Sequence, residues 1–134
     1  MPIRSAKELQ VYIKAFELAM QVFQASKNFP AEERYALTGQ IRRSSRSVCL
    51  NLREAWAKRR YPAHFVSKLT DCDGENSETE SSLDFAWSCG YITAAQHKEF
   101  IDTNREIGRM LGSMLTRPQP FLLQAMDTSL TADS

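Results

Sequence analysis

Apolar residues recur along this chain at three- and four-residue intervals, the period of an α-helix, and nowhere alternate over the length of a strand. In the first segment Leu9, Tyr12, Ile13, Phe16, Ala19, Met20 and Phe23 form one row, and Val11, Ala15, Leu18 and Val22 form a second beside it. Only Gln10, Lys14, Glu17, Gln21 and Gln24 remain as a polar stripe. That stripe is narrow for a surface helix of a small monomer, which turns one apolar face inward. Ser5 and Glu8 have the spacing of a capping box at its start, each side chain satisfying a free backbone N–H. The second segment opens at Phe29-Pro30, where proline's missing donor costs nothing, and Glu32 and Glu33 suit the positive end of a helix dipole. Its core row is Leu37, Ile41, Ser45, Val48, Leu52 and Trp56. The pattern predicts a helix to about Arg60, about 45 Å long at about 1.5 Å per residue.

Tyr61-Pro62 breaks that helix, because a residue before proline is pushed out of the helical region. A third segment runs from Pro62 to about Cys89, with Gly90 suited to a left-handed C-terminal cap. Thr93 and Gln96 form a second capping box and open the fourth segment, whose core face reads Phe100, Ile101, Asn104, Ile107, Leu111, Met114 and Leu115. Arg117-Pro118-Gln119-Pro120 stops it. Helices over about residues 5–27, 30–60, 62–89 and 94–116, joined by short connections, predict an all-α protein: an up-and-down antiparallel four-helix bundle. The bundle domain spans 1–117, and 118–134 is expected to be a flexible C-terminal tail in which Phe121-Leu122-Leu123 is the part able to dock.

The length of 134 residues suits one domain, and 43% hydrophobic with 25% charged residues is a globular composition. Seventeen Lys and Arg against sixteen Asp and Glu argue against a nucleic-acid coat over the whole surface and leave room for a local basic patch. No run of about 18 apolar residues is present to span a membrane. The start, Met1-Pro2-Ile3-Arg4-Ser5, has no signal-peptide core. The expectation is a cytoplasmic protein without a membrane partner, its three cysteines reduced.

Charge is segregated by helix. Between Arg34 and Arg60 of the second segment stand Arg34, Arg42, Arg43, Arg46, Arg53, Lys58, Arg59 and Arg60 with Glu54 as the one acid; Asp71, Asp73, Glu75, Glu78, Glu80 and Asp84 fill the third without a base between Leu69 and Gln96. The third helix also carries Cys72, Asp73, Asn76, Thr79 and Glu80 where its apolar row should continue. Burying a carboxylate unpaired costs several kcal/mol, about the penalty that a close partner offsets. The antiparallel neighbour supplies arginines, so a buried polar network of Arg42, Glu80, Asn76 and Asp73 is predicted, with Arg42 and Glu80 as a pair. A polar pocket taking a small molecule or metal is the alternative use of this centre. Arg43, Arg46, Arg53, Lys58, Arg59 and Arg60 form a candidate nucleic-acid patch, with Trp56 and Tyr61 near enough in sequence for base stacking.

Catalytic chemistry is hard to assemble from these residues. His64 and His97 are isolated, the cysteines lack metal-site spacing, no Glu-x-x-His pair of a di-iron bundle occurs, and there is no phosphate-binding glycine loop or nucleophile elbow. No enzyme activity and no cofactor are expected. Self-association has more support: helix one is apolar on two faces and one bundle covers only one. Val11, Ala15, Leu18 and Val22 are the candidate oligomer interface, with the Leu9-Tyr12-Phe16 face as the alternative.

Leu37-Thr38-Gly39-Gln40-Ile41-Arg42-Arg43-Ser44, Ser47-Val48, Asn51-Leu52, Glu54 and Lys58-Arg59 together resemble the four-helix bundle proteins named after the intervening sequences of bacterial large-subunit ribosomal RNA genes. Phe29-Pro30-Ala31-Glu32-Glu33-Arg34-Tyr35, Phe65, Leu69, Gly74, Glu78, Glu80 and Gly90-Tyr91-Ile92 extend the likeness, which covers about Leu9 to Leu115. Asp71, Asp73, Asn76 and Thr79 depart from the small or apolar residues common there. Arg46 and Arg53 depart likewise, and Ala55 stands where a glycine is frequent. The resemblance implies a four-helix bundle, a homo-oligomer with a pentamer as its expected form, and neither enzymatic activity nor cofactor. It extends distantly to accessory proteins of diversity-generating retroelements, pentameric barrels that bind a reverse transcriptase and nucleic acid. The resulting expectation is an interaction scaffold, with an accessory protein that binds RNA or DNA through the basic surface of helix two as the alternative.

Overall fold

The computed structural model describes residues 3–123. Four α-helices form among them, α1 Gln10–Ser26, α2 Leu37–Ala57, α3 Pro62–Ser88 and α4 Ala94–Thr116. The Ser5–Glu8 capping box exists, but it caps a single 3-10 turn, Ala6–Glu8. Leu9 then turns extended, at ψ 134°, so α1 begins after it; this lets Ala6 and Leu9 both reach the core. The start of helix two shifts as well. Proline and the two glutamates open another 3-10 turn, Ala31–Glu33, and Ala36 departs from helical angles before α2 starts at Leu37. At its other end Arg59 Nε donates to the Trp56 carbonyl at 2.8 Å, closing α2 at Ala57 rather than Arg60. Pro62, Gly90 and Thr93 act as expected. Gly90 adopts φ 78°, and the Gly90 and Tyr91 amides bond back to Trp87 and Ala86 in the double closure that a left-handed cap allows.

Successive helices pack side by side and α4 returns against α1, so α1 and α3 stand across the diagonal of the bundle. Ile41, Leu52, Phe65, Leu69, Leu83 and Leu111 fill the middle and are essentially sealed from solvent. The row Val11, Ala15, Leu18 and Val22 belongs to this same core, with no residue of it more than 3% exposed. It is therefore not an oligomer interface. The side of α1 turned toward its neighbours is the small, β-branched and leucine row, while bulkier Ile13, Phe16 and Met20 remain outside at 37%, 52% and 44% exposure.

A polar layer crosses the core where the apolar row of α3 lapses. Asn76 Nδ2 donates to the Asn104 carbonyl at 3.0 Å and Asn104 Nδ2 donates to the Asn76 carbonyl at 2.9 Å. The two amides thus clamp α3 to α4. Thr79 Oγ1 donates to Ser44 Oγ at 2.9 Å and ties α3 to α2. Small side chains let the helices approach here: a Cβ on Gly108 would lie 3.1 Å from Asn76 Nδ2.

Beyond α4, Pro118 to Leu123 is held rather than loose. Phe121 and Leu122 pack on the core, and the Leu123 amide donates to the Arg59 carbonyl at 3.3 Å. The expected flexible tail is thus corrected over 118–123, and its remainder, 124–134, lies outside the described residues.

Two glycines of α4 predict opposite effects. Gly112 faces open space, so Gly112→Ala should raise stability by about 0.5–1 kcal/mol through helix propensity. Gly108→Ala should lower stability by about 1–3 kcal/mol, because the new methyl pushes the clamp amide off its buried acceptor. Urea midpoints of the two variants against the parent check both signs.

Candidate functional site

The predicted polar network and the predicted basic patch both come apart on inspection of which way each helix faces. Arg42 lies on the α1 side of α2: its Nε donates to Ser26 Oγ at 2.7 Å, and its guanidinium sits 4.7 Å from the centre of the Phe23 ring. Glu80 lies on the α4 side of α3 and pairs with Arg105 at 3.3 Å. The two therefore cannot form the expected Arg42–Glu80 pair. Asn76 is buried as expected, but its partner is Asn104. Asp73 is half-buried on the α3–α4 surface beside Arg105 and Arg109. The one part of the predicted α2–α3 electrostatics that forms runs through Arg43, which bonds Glu75 at 3.2 Å and also Glu78. The Glu75 carboxylate, then Glu78, hold the Arg43 guanidinium above its ordinary pKa.

Of the nucleic-acid patch, Arg43 is thus neutralised from α3, and Arg59 lies flat on Trp56 with its guanidinium 3.7 Å from the ring centre. Arg53 and Arg60 are exposed and Lys58 half-buried, without an ion pair to the described residues. Arg46 turns toward α1 and sits 5.5 Å from the Phe23 ring. A different cluster results. Lys27, Arg42 and Arg46 converge on the one ring of Phe23, with Lys27 Nζ at 4.9 Å, and none of the three pairs with a carboxylate of the described residues. Lys27 was not among the candidates. The signal for it was its i, i+4 spacing from Phe23, on a helix antiparallel to Arg42 and Arg46.

Two outer surfaces complete the picture. On α1, Ile13, Phe16 and Met20 continue the Phe23 row as an apolar ridge. Between the start of α2 and the second half of α3 lies a groove of about 670 Å³. Gly74, Ser77 and Ser81 line it with Tyr35, Leu37 and Phe85, and Glu33 and Glu78 are its charged lining. Tyr35 and Phe85 are 89% and 64% exposed. Glu33 accepts a hydrogen bond from the Tyr91 hydroxyl at 2.9 Å, which orients it without cancelling its charge. The remaining titratable side chains hold helix seams together. His97 stacks on Trp87, ring centres 4.4 Å apart, and its Nε2 contacts Asp84 Oδ1 at 2.9 Å; Lys68 joins Glu54 at 2.8 Å. Among the described residues no helix is long and apolar enough to cross a membrane, and no three His, Cys, Asp or Glu side chains are grouped to hold a metal ion.

Three comparisons bear on this arrangement. A family model for the 23S rRNA-intervening sequence protein matches residues 7–113. A crystal structure of a protein of unknown function from the S23 ribosomal protein family of Bacteroides thetaiotaomicron superposes with a TM-score of 0.71 at 30% identity, covering 79% of this chain and 95% of that one. No curated protein matches.

The cysteines give a direct check on the packing. Burial pushes the Cys49 thiol up to about 11 and the Cys72 thiol up to about 12, from an ordinary 9.0, whereas Cys89 is exposed. A thiol reagent at pH 8 should label Cys89 at once and the other two only on unfolding. Because the folded-state values are raised, the stability these thiols contribute is complete below about pH 9 and lost as pH rises through about 11 and 12. Urea midpoints should fall across that window, and less steeply in Cys72→Ala.

Proposed function

The chain belongs to the 23S rRNA-intervening sequence protein family, and from that premise we propose that it is a non-enzymatic scaffold, a homo-oligomer of four-helix bundles, five to an assembly, acting in the cytoplasm. The observation that carries this reading is the apolar ridge of α1. One bundle covers the Val11-Ala15-Leu18-Val22 row and leaves Ile13, Phe16 and Met20 in water, a contiguous apolar surface of the kind that marks an interaction site. The non-catalytic part rests on how polar groups are used. Asn76 and Asn104 bond each other's helices, Thr79 bonds Ser44, and Glu75, Glu78, Glu80 and Asp84 of α3 are each taken up by a side chain of a neighbouring helix.

Binding of RNA or DNA is the second reading, favoured by the Lys27, Arg42 and Arg46 cluster on Phe23. Repeated in each subunit, even a weak cationic site gains from multivalency. Light scattering coupled to size exclusion, with nuclease-treated protein and with added short RNA, separates the readings. A mass near five subunits without carried nucleic acid is the expected result. Co-elution with RNA that weakens steeply with salt would favour the second reading, and a stable monomer would overturn the scaffold.

A further inference from the structure

The ridge and the groove are complementary in shape, charge and height. The ridge is built from the exposed Ile13, Phe16 and Met20, and the groove has the small residues Gly74, Ser77 and Ser81 in its lining. A Cβ on Gly74 would meet nothing within 4 Å, so there is room there for an incoming side chain. Beyond Met20 the ridge ends in the unpaired cations Lys27, Arg42 and Arg46; the groove is lined by Glu33, which has no cationic partner among the described residues, and by Glu78, which is paired with Arg43.

Height along the bundle matches as well. Phe23 on α1 is level with Arg42 and Arg46, and the next residue of α2, Arg43, is level with Glu75 and Glu78 on α3. The ridge and the groove therefore occupy the same section of the bundle. They stand on different sides of it, the ridge on α1 toward α2 and the groove on the α2–α3 side. A two-fold axis sets one face against its own copy, residue i on j and j on i, so it would need ridge and groove within a single face. They can meet through a simple rotation about an axis along the helices, which keeps equal heights together.

We propose that the occupant of the groove is the α1 ridge of a second copy of this chain, with Phe16 and Met20 of one subunit seated over Ser77 and Ser81 of the next and its Lys27, Arg42 and Arg46 facing Glu33. The contact is head-to-tail, so every subunit offers one ridge and one groove. This rests on the homo-oligomer reading and assigns its interface.

Two full-length variants and their mixture test it, with mass read by light scattering and helicity by circular dichroism. Phe16→Glu combined with Met20→Glu removes the ridge, and Ser81→Trp fills the groove; all three positions are exposed, so helicity should hold. Each variant alone should run as a monomer. Mixed in equal amounts, they should form a dimer and nothing larger, because one intact groove and one intact ridge remain. Variants that keep the parent's assembled mass, or a mixture that stays monomeric, would overturn this interface while leaving self-association standing. A parent protein that is itself a monomer would overturn both.

Discussion

The reciprocal amide clamp between Asn76 and Asn104 is the constraint around which the bundle is arranged. A helix whose core row carries an asparagine, a threonine and a serine does not pack by hydrophobic burial alone at that level. Each polar group needs a partner at a set height and on a set neighbour. Asn76 takes the α4 backbone, Asn104 the α3 backbone, and Thr79 the hydroxyl of Ser44 on α2. Together they set the register of α3 against both neighbours. The Oδ1 atoms of both asparagines stay without a partner, a cost of about 1–3 kcal/mol each. An apolar pair would avoid that cost; what the polar pair adds is a single permitted alignment, the best-attested use of buried polar groups.

With α3 aligned in this way, its other polar residues fall on the seams and the outside. Glu75 and Glu78 meet Arg43, Glu80 meets Arg105, and Asp84 meets His97. Those are exposed or half-exposed contacts, each contributing at most about 1 kcal/mol. They leave Lys27, Arg42 and Arg46 on the α1–α2 side and Glu33 on the opposite side of α2. A protein close to electrical neutrality thereby acquires two oppositely charged surfaces, each beside an apolar feature. The proposed assembly draws on those surfaces, and the interior is given over to alignment.

The number, order and direction of the helices were legible in the sequence, because period, caps and breakers agree at Pro62, Gly90 and Thr93. Helix starts were less so. Glu32 and Glu33 read as the first turn of a long helix, whereas they close a separate 3-10 turn and α2 starts at Leu37. The buried position of Asn76 was legible, since it interrupts an apolar row; its partner was not. Both Arg42 and Asn104 lay within reach along the chain, and only the rotation of each helix about its own axis, which a periodic pattern sets to within a residue, decides between them. The same rotation put Val11, Ala15, Leu18 and Val22 in the core and left Ile13, Phe16 and Met20 outside. Lys27 escaped notice because its cluster forms between two helices rather than along one.

The central claim is that the polar middle of α3 is a closed clamp and neither a lumen nor a ligand pocket. Hydrogen exchange of the asparagine side-chain amides, followed by NMR on the intact protein, tests it most directly. The clamp predicts that one Nδ2 hydrogen of Asn76 and one of Asn104 exchange only with global unfolding, while the amide of exposed Asn28 exchanges at once. Fast exchange at Asn76 and Asn104 in the folded protein would contradict it, and would mean that water enters the bundle where the helices are held here to lock.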